Sequence, residues 1–212
     1  MSGFIVGRTK RTKWKPWLSV VLIAAGVWQL GGSLWLLAKA ELAQYLIDDA
    51  WQRQLTTGEI HKPWPWADTW PVARLQLGSD KPLLVLRGTS GEALAFGPGL
   101  YETSALPGTG DPAEIQATVI AAHRDTHFRG LQSLQPGMQA QLQGGDGRWH
   151  RFRITRTGVV DSRSGVLPEF DTEGGRGLLL VTCYPFDRLT AGGPLRYLVY
   201  ARYQDSGELV DL

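Results

Sequence analysis

The 212-residue sequence holds one cysteine, Cys183. It ends an apolar run, Leu178-Leu-Leu-Val-Thr-Cys183, and Tyr184-Pro185 follows. A strand stopped by Pro185 carries the thiol to the lip of a loop, where a scaffold fixes a group and the loop exposes it. One cysteine excludes an intramolecular disulfide and any multi-thiolate zinc or iron–sulfur site. Three readings stay open: a buried filler, an intermolecular partner or a nucleophile. A nucleophilic thiol needs an imidazole nearby to raise its thiolate fraction and later to protonate a leaving amine. Of the four histidines, His123 is placed like Cys183, at the end of the apolar run Thr118-Val-Ile-Ala-Ala-His123. His127 is the reserve; His61 lies in a Pro/Trp segment and His150 in an alternating strand. Acyl transfer also creates an oxyanion, which a guanidinium can hold with its fixed fork of donors. Arg196 opens the apolar stretch Arg196-Tyr-Leu-Val-Tyr200, 13 residues past Cys183, and comes near the thiol if the two strands pair.

Strands must position these groups. From residue 72 onward, short apolar or alternating runs are separated by Gly/Pro turns such as Gly97-Pro98-Gly99, Pro136-Gly137 and Gly144-Gly145-Asp146-Gly147. Predicted strands cover residues 72–77, 83–87, 117–122, 139–143, 149–160, 178–182 and 197–203. Many short strands with such turns imply a mainly β fold, an antiparallel barrel or sandwich. Short helices are expected at 112–116 and 127–134. The stretch Lys62-Pro-Trp-Pro-Trp-Ala-Asp-Thr-Trp-Pro71 is read as an extended segment packed against the domain; tryptophans stacking on a glycan are the functional alternative.

The overall charge of +2 hides an asymmetry. Residues 1–15 carry Arg8, Lys10, Arg11, Lys13 and Lys15 and no acid, and residues 16–38 carry no charge. At about 1.5 Å per residue this uncharged segment spans the roughly 30 Å hydrocarbon layer. The basic side stays cytoplasmic. We read residues 1–15 as a cytoplasmic tail, 16–38 as a transmembrane signal-anchor, 39–71 as a helical stalk and linker, and 72–212 as an exported domain. A cleaved signal peptide is the alternative, with an A-x-A shape at Ala38-Lys39-Ala40, although signal cores are shorter, about 7–15 residues. The stalk helix is expected to pack through Leu42, Leu46 and Ala50 and to end at Thr57-Gly58. Beyond residue 38 the chain has 17 basic and 20 acidic groups, so it lacks the positive surface that nucleic-acid binding needs.

A strand ending in Thr-Cys, an upstream strand ending in His-Arg-Asp-Thr and a downstream strand opening with Arg together resemble the sortases. The similarity runs over residues 74–203 and includes Phe96-Gly-Pro-Gly99, Pro107-Gly108, TVIAAHRDTHF (118–128) and LLLVTCYPFDRLTAGGPLR (178–196). KPWPWADTWPVARL and CYPFD are similar to the subgroup of Gram-negative proteobacteria. Two positions depart from the family pattern: Leu179 stands where the TLxTC signature has Thr, and Ala122 where a Gly precedes the His.

The resemblance implies an eight-stranded β-barrel with short helices behind an N-terminal transmembrane helix, in an inner-membrane protein facing the periplasm. It implies a cysteine transpeptidase with Cys183 as nucleophile, His123 as acid–base and Arg196 as oxyanion ligand. The partners are an exported protein with a C-terminal LPxTG-like sorting signal and an amine acceptor. No cofactor is expected, because Asp161, Glu169, Asp171 and Glu173 are scattered. Hydrolysis of the same thioester, or a non-catalytic envelope scaffold with Cys183 buried, are the rival functions. Leu106-Pro-Gly-Thr-Gly110 itself matches LPxTG, but it is internal and followed by the domain, so it reads as a turn. Asp125 is a candidate to bridge to Arg124 or orient the His123 loop, and Asp187 and Arg188 to line a groove.

Overall fold

In the computed structural model, residues 16–107, 116–164, 176–188 and 192–204 are described. The apolar segment and the stalk form one helix, α1 (Pro16–Thr57). Gly58, at φ 74°, ends it with its N–H on the Gln54 carbonyl (2.9 Å), the left-handed glycine stop anticipated at Thr57-Gly58. The chain divides after Leu42 into two compact units. In the first, α1 is exposed on all sides, with Trp28 83% accessible, and it is long and apolar enough to cross a membrane, with mean hydropathy 1.8.

The second unit, Ala43–Leu212, begins with the last turns of α1. Here the buried side chains are Ala43, Ile47, Ala50 and Trp51, while Leu42 is 56% exposed. The packing stripe is therefore rotated from the Leu42-Leu46-Ala50 row read from the sequence, of which only Ala50 is buried and Leu46 half-buried. Alanines at 43 and 50 let the helix approach closely, and Ile47 and Trp51, one turn apart, supply the bulk. Ile47 packs with Leu86 and Ala93, Gln44 Nε2 donates to the Phe96 carbonyl at 2.8 Å, and Arg74 pairs with Asp48. Of the Pro/Trp segment, Trp64 stacks edge-on against Phe96 (5.2 Å) and Trp70 packs on the barrel core. Trp66 points out, 78% exposed.

Eight strands follow: β1 (Pro71–Leu77), β2 (Leu83–Arg87), β3 (Gly99–Leu100), β4 (Gln116–Ala121), β5 (Gln139–Gln143), β6 (Trp149–Asp161), β7 (Arg176–Cys183) and β8 (Leu195–Gln204). They close into a barrel of order β1-β2-β3-β4-β7-β8-β6-β5. The barrel is mixed, not antiparallel as expected, because β2–β3 and β4–β7 are parallel. Parallel neighbours need a crossover. Between β2 and β3 it includes α2 (Gly91–Phe96), whose N-cap Ser90 accepts from the Ala93 N–H at 3.2 Å. Neither α2 nor the two-residue β3 was anticipated; both are too short to show a period. Of the helix expected at 112–116, Gln116 belongs to β4 and the rest lies outside the described residues; within 127–134 a 3-10 helix forms at Arg129–Ser133.

β7 is buried on both faces, which explains its unbroken apolar run. Leu178 and Leu180 join Leu75, Ile120, Phe152, Ile154 and Val199 in the core. Leu179, between them, packs on the opposite face with Leu198 and Tyr200. Leu106, the first residue of the internal LPxTG match, packs against the core, and Pro107 is buried. Such packing favours a turn over a presented substrate; residues 108–110 lie outside the described residues.

Gly99 shows why the Phe96-Gly-Pro-Gly99 turn needs glycine. A Cβ there would sit 2.3 Å from the Gly88 carbonyl oxygen, backbone that has little room to shift. Gly99→Ala should cost about 1–3 kcal/mol, and Gly91→Ala, with nothing within 4 Å of its Cβ, should stay within about 0.5 kcal/mol. Thermal unfolding of the two variants checks this pair.

Candidate active site

The parallel register of β4 and β7 decides where His123 goes. Thr118 pairs with Leu178, Ile120 with Leu180 and Ala121 with Val181. Beyond the last pair, Ala122 N–H donates to the Val181 carbonyl (3.2 Å) and Thr182 Oγ1 donates to the Ala122 carbonyl (2.7 Å). The two strands are thus laced to their ends, and His123 leaves β4 at the level where Cys183 ends β7. On the other side of β7, Cys183 is the register partner of Arg196. Opposed residues in an antiparallel pair share a face. Thr182 is buried, so alternation turns Cys183 to the outer face, that of Leu179 and Val181. Cys183 is half-buried and free, and His123 is exposed. Cys183 and Arg196 are therefore register partners on adjacent strands, and His123 lies two residues past the end of the third strand, β4, at the same edge of the barrel.

The loop before β8 is shaped by Gly192 and Gly193, at φ 92° and 108°, a conformation L side chains avoid. Arg196 Nη1 donates to the carbonyls of Gly193 (2.7 Å) and Leu195 (2.9 Å). A guanidinium has five donors; Nε and Nη2 take no part in these two bonds.

A fourth residue was not recognised as part of this edge from the sequence. Arg124, next to His123, is 4% exposed. Its Nη1 donates to the Pro185 carbonyl (2.6 Å), its Nη2 to the Arg188 carbonyl, and its Nε to Asp125 Oδ1 (3.1 Å). One buried guanidinium thereby ties the loop after His123 to the loop after Cys183. The Asp125–Arg124 bridge was among the sequence readings; the reach of Arg124 across 61 residues to Pro185 was not. The only signal available was an arginine set between His and Asp.

Tyr184 and Pro185 are joined by a cis peptide bond. Tyr184, Phe186 and Tyr197 form an aromatic cluster beside Cys183, with ring centroids 5.2–6.3 Å apart. The two loops enclose an open pocket of about 580 Å³, lined among others by Arg124, Asp125, Arg129, Tyr184, Phe186 and Asp187. Asp187 does line a recess, as one reading held; Arg188 is exposed and contributes its carbonyl to Arg124.

His127 is half-buried on the same loop. Desolvation, and then the charge of His123, hold its pKa below the ordinary value of 6.5. The remaining histidines are elsewhere: His61 contacts Thr57 (2.9 Å) and His150 stacks near Tyr203. Because folded His127 binds its proton more weakly than the unfolded chain does, its contribution to stability is complete above about pH 6.5 and is lost as pH falls below that toward its folded value. In His123→Asn, the His127 imidazole should titrate closer to 6.5, without reaching it because desolvation remains. An NMR titration of the ring protons reads the difference.

Among the described residues, no group of three or more His, Cys, Asp or Glu side chains is arranged to hold a metal. Asp161 is instead held by Arg163, whose side-chain hydrogen bonds (Nη2–Oδ2 2.6 Å) lower its pKa to about 2. Glu169, Asp171 and Glu173 lie outside the described residues.

Comparison with known proteins gives one consistent result. The sortase-domain family pattern matches residues 76–204, a span that contains His123, Cys183 and Arg196. Sortase D of Bacillus subtilis (strain 168) is 32% identical over 120 residues, 57% of this chain and 57% of that protein. The chain thus aligns with little more than half of that relative's length. Sortase A from Corynebacterium diphtheriae superposes with a TM-score of 0.52 at 23% identity, over 68% of this chain and 66% of that one. Sortase C-1 from Actinomyces oris gives 0.51 at 23% identity, over 64% and 75%. At such identities the structural likeness is one of fold, and it agrees with the eight-stranded mixed barrel described above. With more than half its length inside the family pattern, this chain belongs to the sortase family.

Proposed function

We propose that this protein is a membrane-anchored cysteine transpeptidase that cleaves a sorting signal of an exported protein and joins the released acyl group to an amine. The observation that carries the reading is the alignment of three strand ends, with Cys183 paired to Arg196 and β4 delivering His123 beside β7. The Cys183 thiolate attacks a peptide carbonyl, and Arg196 stabilises the oxyanion that forms. His123, as imidazolium, protonates the leaving amine, and the C–N bond breaks to leave a thioester on Cys183. An amine resolves the thioester; water resolving it would make the enzyme a hydrolase.

The apolar first unit supports a single-pass anchor, and the basic residues 1–15 support an N-terminus on the cytoplasmic side, with the barrel in the periplasm. The segments then divide as a tail (1–15), an anchor (16–38), a stalk and linker (39–71) and a catalytic domain (72–212). The wording of KPWPWADTWPVARL and CYPFD supports a place in the Gram-negative subgroup of the family.

Incubating the full chain in detergent micelles with an LPxTG-type peptide, with and without hydroxylamine, tests the proposal. The expected result is a Cys183 acyl adduct by intact mass, converted to a hydroxamate when the amine is present. A free acid in both arms would make it a hydrolase. No adduct and no cleavage would overturn the proposal.

A further inference from the structure

The outer wall of the barrel formed by β1, β5, β6 and β8 carries a pattern that the acyl-transfer scheme does not use. Ala140, Leu142, Phe152 and Ile154 belong to the core, so alternation turns their neighbours Gln141, Arg151 and Arg153 outward. Register then lines the outward residues up across four strands. Gln76 of β1 pairs with Gln141 of β5, Gln141 with Arg151 of β6, and Arg151 with Gln204 of β8. In the next row Gln139 pairs with Arg153, and Arg153 with Arg202. Opposed like charges cost a sheet stability, and neither row contains a carboxylate. Among the described residues, Arg151 and Arg153 have no ion-pair partner within 4.0 Å. With the Gln204 amide oriented to suit its neighbours, its oxygen accepts from Arg153 Nε (2.9 Å) and Nη2 (3.1 Å). A neutral amide thus holds this guanidinium in place without cancelling its charge. Trp149, two residues before Arg151 on the same face, is 40% exposed. The chain beyond residue 38 is net acidic, so this local excess of cation runs against the overall balance.

We propose that this wall is a binding face for an acidic polysaccharide, an extended chain of pyranose sugars that bear carboxylates. Each feature of the face matches one feature of such a chain. A glutamine amide both donates and accepts, as a sugar hydroxyl does, and a row of amides can meet successive hydroxyls. The guanidiniums of Arg151 and Arg153 match the planar, two-oxygen geometry of a carboxylate. The Trp149 indole offers a flat apolar surface to the C–H face of a sugar ring. Arg151 and Arg153 are about 7 Å apart along β6, and neighbouring strands are about 4.8 Å apart, so the platform receives an extended chain without needing a cleft. An acidic peptide or a layer of lipid headgroups would be served by the arginines alone and would leave the glutamine rows without a use. The proposal is independent of the acyl-transfer reading. Arg202 lies about 20 Å along β8 from Arg196, so a chain on this wall leaves the Cys183 edge open.

Titration of the full chain in detergent micelles, with isotope-labelled backbone amides, against hexagalacturonate tests the face. The expected result is a saturable shift of amides in 139–143 and 149–153, weakened by added salt because the ion pairs are exposed. Maltohexaose, a neutral glycan of equal length, should bind about tenfold more weakly, the scale of two exposed ion pairs. Replacing both arginines, Arg151→Gln with Arg153→Gln, should abolish that difference. Trp149→Ala should instead weaken both glycans by about fivefold, the scale of one aromatic contact. Trp149, Arg151 and Arg153 are exposed, so the variants should keep the parent spectrum elsewhere and form the Cys183 acyl adduct as the parent does. Hexaglutamate serves as an acidic chain without sugar rings, and micelles doped with phosphatidylglycerol as an anionic lipid surface. Equal shifts with hexaglutamate, shifts with phosphatidylglycerol but none with hexagalacturonate, or no shift with any probe would each overturn the proposal.

Discussion

Cys183→Ala should form no acyl adduct and lose on the order of 10⁶ in kcat, the scale seen when a nucleophile acting as a unit with its base is removed. His123→Ala should lose at least roughly 10²–10⁴ from proton transfer, and more because the thiolate fraction of Cys183 falls with it. The double variant should be no worse than Cys183→Ala, since the imidazole has nothing to serve once the thiol is gone. Arg196→Lys should cost about 10²–10³, the scale of one oxyanion donor, because an ammonium cannot reproduce the planar fork. All four are compared in one steady-state assay with the same peptide. Cleavage surviving in Cys183→Ala would refute the nucleophile assignment. Since Thr182, not Cys183, is the buried residue of the pair, the alanine should leave the unfolding midpoint close to that of the parent, which separates lost chemistry from lost fold.

Arg124→Ala is the second large effect, and it should appear in both stability and rate. The substitution strips a charged donor from the carbonyls of Pro185 and Arg188. Hydrogen bonds to a charged group contribute about 1.5–3 kcal/mol each, and some of that is recovered by water at the loop. A net loss of about 2–3 kcal/mol should lower the melting temperature by roughly 5–10 °C. At temperatures where the variant is fully folded, kcat should still fall by about 10², the scale of an ångström of misplacement between reacting groups, with KM for the sorting peptide much less changed. Arg124→Lys should recover part of the stability, because one ammonium can reach one carbonyl, and little of the rate. Thiol alkylation by iodoacetamide across pH gives an independent readout of the Cys183 environment. If the melting temperature falls and neither kcat nor the alkylation profile moves, Arg124 only braces the fold.

The legibility of this protein in its sequence varies by element. β2 and β5 appear at the predicted bounds and β1, β4, β6, β7 and β8 within a residue or two, because turns marked by Gly and Pro isolate each run; the two-residue β3 is too short to be read. The end of α1 was legible for a similar local reason, the left-handed glycine after Thr57. The packing face of that helix was misread. Leu42, Leu46 and Ala50 form a valid stripe, but so do Ala43, Ile47, Ala50 and Trp51, and only the barrel surface against which residues 43–57 lie selects the second. Strand direction was misread for a related reason. Local pattern reports which residues are apolar, not which strand will lie alongside, so the two parallel pairs were invisible.

The chain alone determined the chemical inventory: one thiol, placed at a strand end; an imidazole and a guanidinium at the ends of two other apolar runs; an uncharged helix behind a basic tail. Residue type and local period decide these things, since they depend on neighbours a few positions away. Tertiary structure decided how the groups meet. His123 and Cys183 are 60 residues apart and come level only because β4 and β7 run parallel in register. Arg196 becomes the register partner of Cys183 only because β8 pairs antiparallel with the same strand. The buried reach of Arg124 belongs to the space between two loops, a relation set by the closure of the barrel and written in no single stretch of sequence.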